Sequence, residues 1–259
     1  MLVKMMLLSL AFIATCWNPK SISKEIQKMP QLQTLPDVNN YKSISDIPLP
    51  PGYSRIKYPT SSFAAWLRMV KLKKDKHVHL FDGSLKKDQS AQFAVLDISV
   101  GHQDLQQCAD AIIRLRAEYF YSLAQYDNIR FTDNDNKVYQ FKKPYNRNTF
   151  LEYLNRVFSM CGSASLEKQL LKHVEFKEVI PGDVLIYGGY PGHAEIVMDC
   201  AVNEVGSKIY ILAQSYMPAQ DIHILVNPTS SLSPWYLVDD HSHIQTPQYT
   251  FSRTALKRW

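Results

Sequence analysis

The sequence has few of the features that would divide the chain or direct it to a nucleic acid. Its 259 residues contain no internal repeat, and residues 47–259 contain no linker-like stretch, which favours one compact domain. The formal net charge is only +5. Four lysines cluster between positions 71 and 76, but no aromatic residue lies among them. We interpret this run as a solvated loop and expect no nucleic-acid partner.

The apolar stretch at the N-terminus is too short to span a bilayer, which favours a secretory signal. Residues 1–15 contain one lysine followed by an apolar run, which ends in Ile-Ala-Thr-Cys at Cys16. This ending resembles the box at which bacterial lipoproteins are cut and lipidated. The resemblance implies a lipid on Cys16, a membrane contact through that lipid, and an exported cell-envelope protein facing the periplasm. Cleavage without lipidation and no cleavage remain the alternatives.

Cysteine is scarce, with four residues in the whole chain. If Cys16 carries a lipid, Cys108, Cys161 and Cys200 remain. An exported protein with an odd number of thiols keeps at least one of them unpaired. A disulfide between Cys161 and Cys200 is one alternative, although spacing alone cannot establish it. A free thiol outside the cytoplasm then calls for a chemical explanation.

The hydrophobic pattern predicts a flexible tether, residues 16–46, followed by one α+β domain, residues 47–259. A strand, several helices and an antiparallel group of strands follow one another in the domain, so we expect helices packed against one sheet. The predicted helices are residues 63–69, 105–123, 149–160 and 165–173. The predicted strands are residues 78–81, 91–100, 184–187, 194–198, 208–215 and 221–226, with a hairpin within residues 128–145.

Residues 180–199 carry the most informative pattern. Two apolar runs are separated by Gly188, Gly189 and Gly192, which predicts two short strands joined by a tight turn. His193 follows the turn, where the glycines leave room for a ligand to approach. A structural histidine, hydrogen-bonded beside the turn, is the alternative interpretation.

Cys108 precedes a strong helical pattern for which Asp104 is the predicted N-cap. This position places the thiol in the first turn, where unpaired N–H groups and the helix dipole favour the thiolate. His193 would then serve as the general base for Cys108. Because Cys108 also lies on the apolar stripe of the helix, inert packing is the alternative.

A catalytic histidine needs a third group that holds its ring. The next predicted strand supplies Gln214 and Ser215, which point to opposite faces, so at most one of them faces the histidine. We choose Gln214 for this role and keep Asp199 and Ser215 as alternatives.

Further polar residues are candidates for binding an oxyanion or a substrate. The oxyanion would be bound by the N–H of Cys108 and by the side chain of Gln103 or Gln107. The candidates for substrate binding are Gln107, Asp110, Arg114, Ser215 and Tyr216. Asp110, Arg114 and Glu118 are spaced four residues apart, and an exposed ion-pair ladder is the alternative for them.

A metal site is the least favoured alternative. His77, His79 and His102 would be its ligands, but their spacing matches no recognisable ligand pattern. We therefore expect neither a metal nor another cofactor.

The helix-start cysteine and two further runs resemble the NlpC-type cell-wall cysteine peptidases of the papain-like group. The runs are Pro-Gly-Asp-Val-Leu-Ile-Tyr from Pro181 and Gly-His-Ala-Glu-Ile-Val from Gly192. The resemblance covers residues 108–216 and implies a papain-like core, a catalytic Cys–His pair and a peptidoglycan peptide as substrate. Gln-Cys-Ala-Asp from Gln107 departs from the usual Asp-Cys-Ser-Gly, and the interval from cysteine to histidine is longer here.

Nearly the whole predicted domain resembles a second, closer group, the bacterial domain of unknown function 4846. The stretches that carry this resemblance are Ile-Pro-Leu-Pro-Pro-Gly-Tyr from Ile47, Leu-Gln-Gln-Cys-Ala-Asp-Ala from Leu105, Arg-Leu-Arg-Ala-Glu-Tyr from Arg114, and Ala-Gln-Ser-Tyr-Met-Pro-Ala-Gln from Ala213. This group implies no activity, so the mechanism depends on the residues themselves.

These observations predict a thiol hydrolase of the bacterial cell envelope that cleaves an amide bond by acyl transfer through Cys108. The alternative is a non-catalytic envelope lipoprotein that uses a papain-like shell to bind glycan or a protein partner. That alternative predicts a Cys108 packed in the core and distant from His193.

Overall fold

The computed structural model describes residues 38–170 and 172–259. The predicted signal, the lipid attachment at Cys16 and most of the tether lie outside these residues. The described part of the chain forms one compact unit. This unit starts before the predicted boundary at Ile47, because the side chain of Ile44 is already fully buried. Within the described ranges, no helix has the length and apolar character needed to cross a bilayer.

The unit contains four α-helices, all within the predicted segments or within two residues of their ends. They are α1 (Phe63–Arg68), α2 (Cys108–Ser122), α3 (Arg147–Met160) and α4 (Ser163–Gln169). Side-chain caps start two of them: Ser62 Oγ accepts the N–H of Ala65, and Asn146 Oδ1 accepts the N–H of Thr149. Such caps satisfy N–H groups that have no partner within the helix.

The strands are short except for two in the second half of the chain. They are β1 (Tyr53–Arg55), β2 (Gln92–Val95), β3 (Arg130–Thr132), β4 (Val138–Gln140), β5 (Lys172–His173), β6 (Val184–Tyr187), β7 (His193–Asn203), β8 (Lys208–Gln214), β9 (His223–Leu225), β10 (Tyr236–Leu237), β11 (His243–Gln245), β12 (Thr250–Ser252) and β13 (Leu256–Arg258). The predicted hairpin within residues 128–145 is confirmed as β3 and β4.

One antiparallel sheet dominates the fold, in the order β2-β9-β8-β7-β6-β13-β5. β1 pairs with β7 and β10 pairs with β8, while β3–β4 and β11–β12 form separate two-stranded ribbons. The α+β class is therefore confirmed. The predicted strand at residues 78–81 is not formed. His79 and Leu80 make only isolated bridges, with Leu85 and Gln220.

Both faces of the sheet are buried, which determines the character of β7. Ile196 and Ala213 belong to the core cluster that includes the helices, whereas Val197 and Leu212 belong to a second cluster. Neighbouring residues of a strand point to opposite faces, so the first nine residues of β7 are all buried. Its polar residues therefore need partners inside the protein.

Asp199 of β7 meets this requirement through two arginines. Its carboxylate accepts hydrogen bonds from Arg55 Nε at 2.7 Å and from Arg68 Nε at 2.8 Å. The same carboxylate accepts the N–H of Cys200 at 2.8 Å. This ion pair joins β1, α1 and the centre of the sheet. Asp199 is therefore occupied in the core, and the alternative that made it the group holding the His193 ring is wrong.

The three cysteines of the described residues are free thiols. Cys200 is buried in the sheet, with its sulfur 3.8 Å from the carbonyl oxygen of Val179, and Cys161 caps the C-terminus of α3. The alternative of a Cys161–Cys200 disulfide is therefore wrong.

Candidate functional site

Cys108 is the first residue of α2, as its predicted role requires, and it is half-buried. The N-cap is Gln107, whose N–H is accepted by the Asp110 carboxylate at 3.1 Å. The predicted N-cap Asp104 is wrong because its carboxylate accepts the N–H of Ala219 at 2.6 Å and the Gln107 side chain at 3.1 Å. The thiol thus lies at the positive end of a 15-residue helix, where a thiolate is stabilised.

A glycine turn positions His193 at the start of β7. Gly189 has φ +115°, a conformation that side chains rarely adopt. A Cβ on Gly192 would lie 2.5 Å from Ser163 Oγ and 2.5 Å from the carbonyl oxygen of Gly189. Only glycine fits there, so the turn closes tightly and places His193 opposite Tyr187 with 2% of its surface exposed.

Gln214 orients the His193 ring, as predicted. His193 Nε2 donates to Gln214 Oε1 at 2.7 Å, which leaves Nδ1 for the Cys108 thiol. Gln214 is held in turn by Gln248, whose Oε1 accepts from Gln214 Nε2 at 2.6 Å. The Nε2 atoms of Gln214 and His223 lie 3.4 Å apart. The amide of Gln214 is therefore itself held in place by Gln248 and His223.

His223 takes part in this arrangement as a neutral ring. It is fully buried, and burial lowers the pKa of His223 to about 3. Its Nδ1 donates to the carbonyl oxygen of Asp221 at 2.9 Å, so its Nε2 accepts from Gln214. A chain of hydrogen bonds consequently runs from the backbone at Asp221 to the ring of His193.

Glu195 is a further residue of the site that the sequence analysis did not select. It lies two residues beyond His193 and therefore on the same face of β7. Its Oε1 is 3.6 Å from His193 Nε2 and accepts a hydrogen bond from Thr246 Oγ1 at 2.8 Å. Glu195 is fully buried, and its Oε2 has no hydrogen-bond partner among the described residues. A buried carboxylate in this position favours a protonated imidazole.

The pKa of His193 is determined by two opposing effects. Burial disfavours the charged ring and lowers the pKa. Hydrogen bonds with the side chains of Cys108 and Glu195, together with the negative charge of Glu195, outweigh burial and raise the pKa of His193 from 6.5 to about 9. The imidazole of His193 is therefore protonated near neutral pH, beside the side chain of Cys108.

Aromatic rings cover the remaining surface of the His193 ring. The ring centroids of Tyr216 and Tyr249 each lie 5.0 Å from that of His193, and Phe251 stacks at 6.0 Å. These rings exclude water from the imidazole and strengthen the electrostatic interactions within the site. Tyr216, a predicted substrate-binding residue, thus lies beside His193.

Cys108 and His193 line one cavity of about 800 Å³, a volume suited to a small molecule or a peptide segment. We refer to it as the thiol cavity. Gln107, Asp110 and Tyr216 of the predicted substrate-binding residues also line it. Asp110 is 5% exposed, and its Oδ1 has no hydrogen-bond partner within the described ranges. Burial raises the pKa of Asp110 well above its ordinary value.

Three other predicted residues lie elsewhere. Ser215 is buried with its hydroxyl within hydrogen-bonding distance of the carbonyl oxygens of Gln106 (3.0 Å) and Gln220 (2.8 Å), so it is neither the third group nor part of the lining. Gln103 and Arg114 line a second cavity, between residues 97–103, α2 and α3. Of the two side chains predicted to bind the oxyanion, only Gln107 lines the thiol cavity, so Gln107 remains the candidate.

The sequence allowed an exposed ion-pair ladder of Asp110, Arg114 and Glu118 on α2. Only part of this ladder is formed, and that part is not exposed. Arg114 Nε pairs with Glu118 at 2.7 Å, but Asp110 is not part of the pair. Arg114 is only 5% exposed. Arg147, the first residue of α3, also pairs with Glu118. The polar side of α2 therefore faces α3 and not the solvent.

Residues 38–170 and 172–259 contain no group of three or more His, Cys, Asp or Glu side chains arranged to bind a metal ion. Of the histidines in the metal alternative, His77 pairs with Asp75 at 2.7 Å and His102 lines the second cavity. The alternative gains no support from this geometry.

Replacing Glu195 with glutamine is expected to move the alkaline limb of activity. The imidazolium of His193 persists up to about pH 9, and above that pH it loses the proton needed by a leaving amine. Removing the negative charge of Glu195 lowers the pKa of His193, so the limb should shift to lower pH by roughly one unit. The pH profile of kcat/KM checks this, with Glu204→Gln, an exposed carboxylate in the turn between β7 and β8, as control. An unchanged limb in the Glu195 variant would show that Glu195 does not act on His193.

Comparison with known proteins gives a family match over nearly all of the described residues. The family model described as domain of unknown function (4846) matches residues 44–145 and 132–258. No curated protein and no solved structure matches.

Proposed function

The chain belongs to the family of the domain of unknown function 4846, and since that description assigns no activity, we propose from the site itself that the protein is a thiol hydrolase. It would cleave an amide bond by acyl transfer to Cys108. The observation that carries this proposal is that Cys108 and His193 line one cavity and interact there, with Gln214 holding the ring at 2.7 Å.

The first half of the reaction forms a thioester. The Cys108 thiolate attacks the amide carbonyl carbon, and the developing oxyanion accepts the N–H of Cys108 at the start of α2 and the Gln107 side chain. The imidazolium of His193 then gives its proton from Nδ1 to the amine nitrogen as the C–N bond breaks. The amine leaves, and the acyl group stays on sulfur.

The second half returns the site to its starting state. Neutral His193 accepts a proton from water at Nδ1 as the water oxygen attacks the thioester carbon. The C–S bond breaks, the carboxylic acid product leaves, and the Cys108 thiolate faces an imidazolium again. Gln214 keeps Nε2 engaged throughout, so the ring does not rotate between the two proton transfers.

We include a papain-like arrangement in this proposal. A cysteine at the N-terminus of a helix, a histidine opening a strand and a third polar residue on the following strand are found here as α2, β7 and β8. The papain-like resemblance and the lipoprotein-like start together suggest a peptidoglycan peptide as substrate and the periplasmic face of the envelope as location. Lipid on Cys16 would supply the membrane contact.

Labelling with iodoacetamide tests the pair without knowledge of the substrate. At pH 6 the imidazolium of His193 favours the Cys108 thiolate, so His193→Ala should slow alkylation of this cysteine by at least about tenfold. The other two described thiols are internal controls, because burial raises the pKa of Cys161 to about 11 and also raises that of Cys200. Mass spectrometry of the labelled peptides separates the sites.

The Gln214→Ala variant and a muropeptide panel complete this test. Loss of the ring's partner should reduce alkylation less than loss of the ring itself. Hydrolysis of a muropeptide amide would assign the substrate. If Cys108 alkylates slowly at pH 6 and equally in the His193 variant, the pair is not activated and a non-catalytic binding role takes its place.

A further inference from the structure

The second cavity has the composition of a ligand site and does not contain the catalytic pair. Its volume is about 770 Å³, and it lies between residues 97–103, the end of α1, and the facing sides of α2 and α3. Phe158 is the one residue that lines both this cavity and the thiol cavity. A ligand in the second cavity would therefore not contact Cys108 or His193.

The walls of the second cavity are largely apolar. Trp66 closes one end, Ile98 comes from the loop, and α3 contributes three side chains in successive turns. These are Leu151, Leu154 and Phe158. Cavities of this size with apolar walls and a few polar groups are the usual form of small-molecule sites.

The polar part of the second cavity is centred on Arg114. Its Nε donates to Glu118 at 2.7 Å, and its Nη1 donates to Gln106 Oε1 at 2.9 Å. Its Nη2 makes no hydrogen bond with any described residue, although the side chain is 6% exposed. An N–H₂ group without a protein partner at the wall of a cavity can donate to a ligand that enters the cavity.

The surrounding charges favour an anion. Glu118 is fully engaged, because Arg147 also contacts both of its oxygens, at 2.5 and 2.6 Å. The remaining charged groups of the lining are Lys71 and Asp97, both exposed. Three cations therefore face two carboxylates, and the surplus is one positive charge, which suits a monoanion better than a phosphate dianion.

We propose that the second cavity binds a small amphipathic carboxylate. The carboxylate accepts from Arg114 Nη2, and the apolar body of the ligand packs between Trp66 and the side chains of α3. This inference is independent of the proposed hydrolase activity.

Calorimetric titration of the full chain with dodecanoate, below its micellar concentration, tests this proposal. Dodecanoate should bind with one site, and dodecyltrimethylammonium, with the same tail and the opposite charge, should bind at least tenfold more weakly. Arg114→Met removes the donor while Glu118 keeps Arg147 as its partner, so affinity for dodecanoate should fall at least tenfold. Leu151→Trp narrows the apolar part of the cavity and should weaken dodecanoate binding at least tenfold.

Val205→Trp serves as the control, because Val205 is 87% exposed and lies in neither cavity. If the Arg114 variant does not fold, the Leu151 variant and the choice of head group still decide the question. Absence of dodecanoate binding, equal binding of the cationic analogue, or undiminished binding to the Leu151 variant would each overturn the proposal.

Discussion

Replacing Cys108 with alanine is expected to abolish hydrolysis of the substrate amide, lowering kcat by at least about 10³-fold. In the proposed mechanism the acyl group bonds to the sulfur of Cys108, and Cys161, a second thiol that lines the same cavity, has a pKa raised by burial to about 11. Binding should be retained, because the walls of the cavity are unchanged and the alanine is smaller than the cysteine. The measurement is steady-state hydrolysis of muropeptides together with equilibrium binding of the same compounds.

Two further variants make this result specific to the sulfur. Cys108→Ser keeps the size and a hydroxyl but replaces the acidic thiol with a poor nucleophile, so it should be nearly as inactive. Cys200→Ala removes a buried thiol outside the cavity, and its activity should remain within about twofold once the protein is folded. Turnover by the Cys108→Ala protein at the rate of the unmodified chain would exclude acyl transfer through this residue.

Replacing Asp199 with alanine is expected to destabilise the fold by about 3–5 kcal/mol. The carboxylate is fully buried, and its removal leaves the side chains of Arg55 and Arg68, which are 21% and 16% exposed, without their anionic partner. Unfolding by urea, followed by circular dichroism, gives the change in the free energy of unfolding.

Asp239 provides the matched surface comparison. It pairs with His241, which is 84% exposed, at 2.8 Å. Asp239→Ala should change stability by less than about 1 kcal/mol. If the two aspartate variants were equally stable, the arginines would have found other partners and the buried ion pair would not join β1, α1 and β7 as described.

The sequence was sufficient to predict that Cys108 and His193 lie in one site, because its signals are local. A cysteine before a helical pattern and a histidine after a glycine turn are both visible in short windows. Gln214 could also be chosen, because β8 follows β7 directly and antiparallel neighbours share a register. The α+β class followed from the order of helix and strand patterns in the same way.

Residues brought to the site from distant parts of the chain were missed. Gln248 and Tyr249 lie more than fifty residues beyond His193 in a segment without strong periodicity, so nothing in the sequence connected them to the ring. Glu195 had a signal, two positions after His193 on one strand face, but an apolar run around it favoured simple core packing. The N-cap of α2 was misplaced because Asp104 is used by a tertiary contact, the N–H of Ala219.

The α2 surface shows a second limit of pattern reasoning. Arg114 and Asp110 are charged and lie opposite the apolar stripe, which is typical of an exposed face. In the structure both are 5% exposed. Arg114 is held by Ser99 and Gln106 of the loop before α2, and Asp110 lies at the wall of the thiol cavity. Burial by neighbouring segments depends on the packing of the whole domain, which the local pattern does not contain.

The group that steadies the imidazole here is an amide, and an amide has no proton to gain or lose between acid and base. The angle of the His193 ring is therefore set identically at every pH at which the protein stays folded. A carboxylate in the place of Gln214 would release the ring on acidification. The dependence of turnover on pH should accordingly contain no ionisation from the Gln214 side chain that accepts the hydrogen bond of the ring.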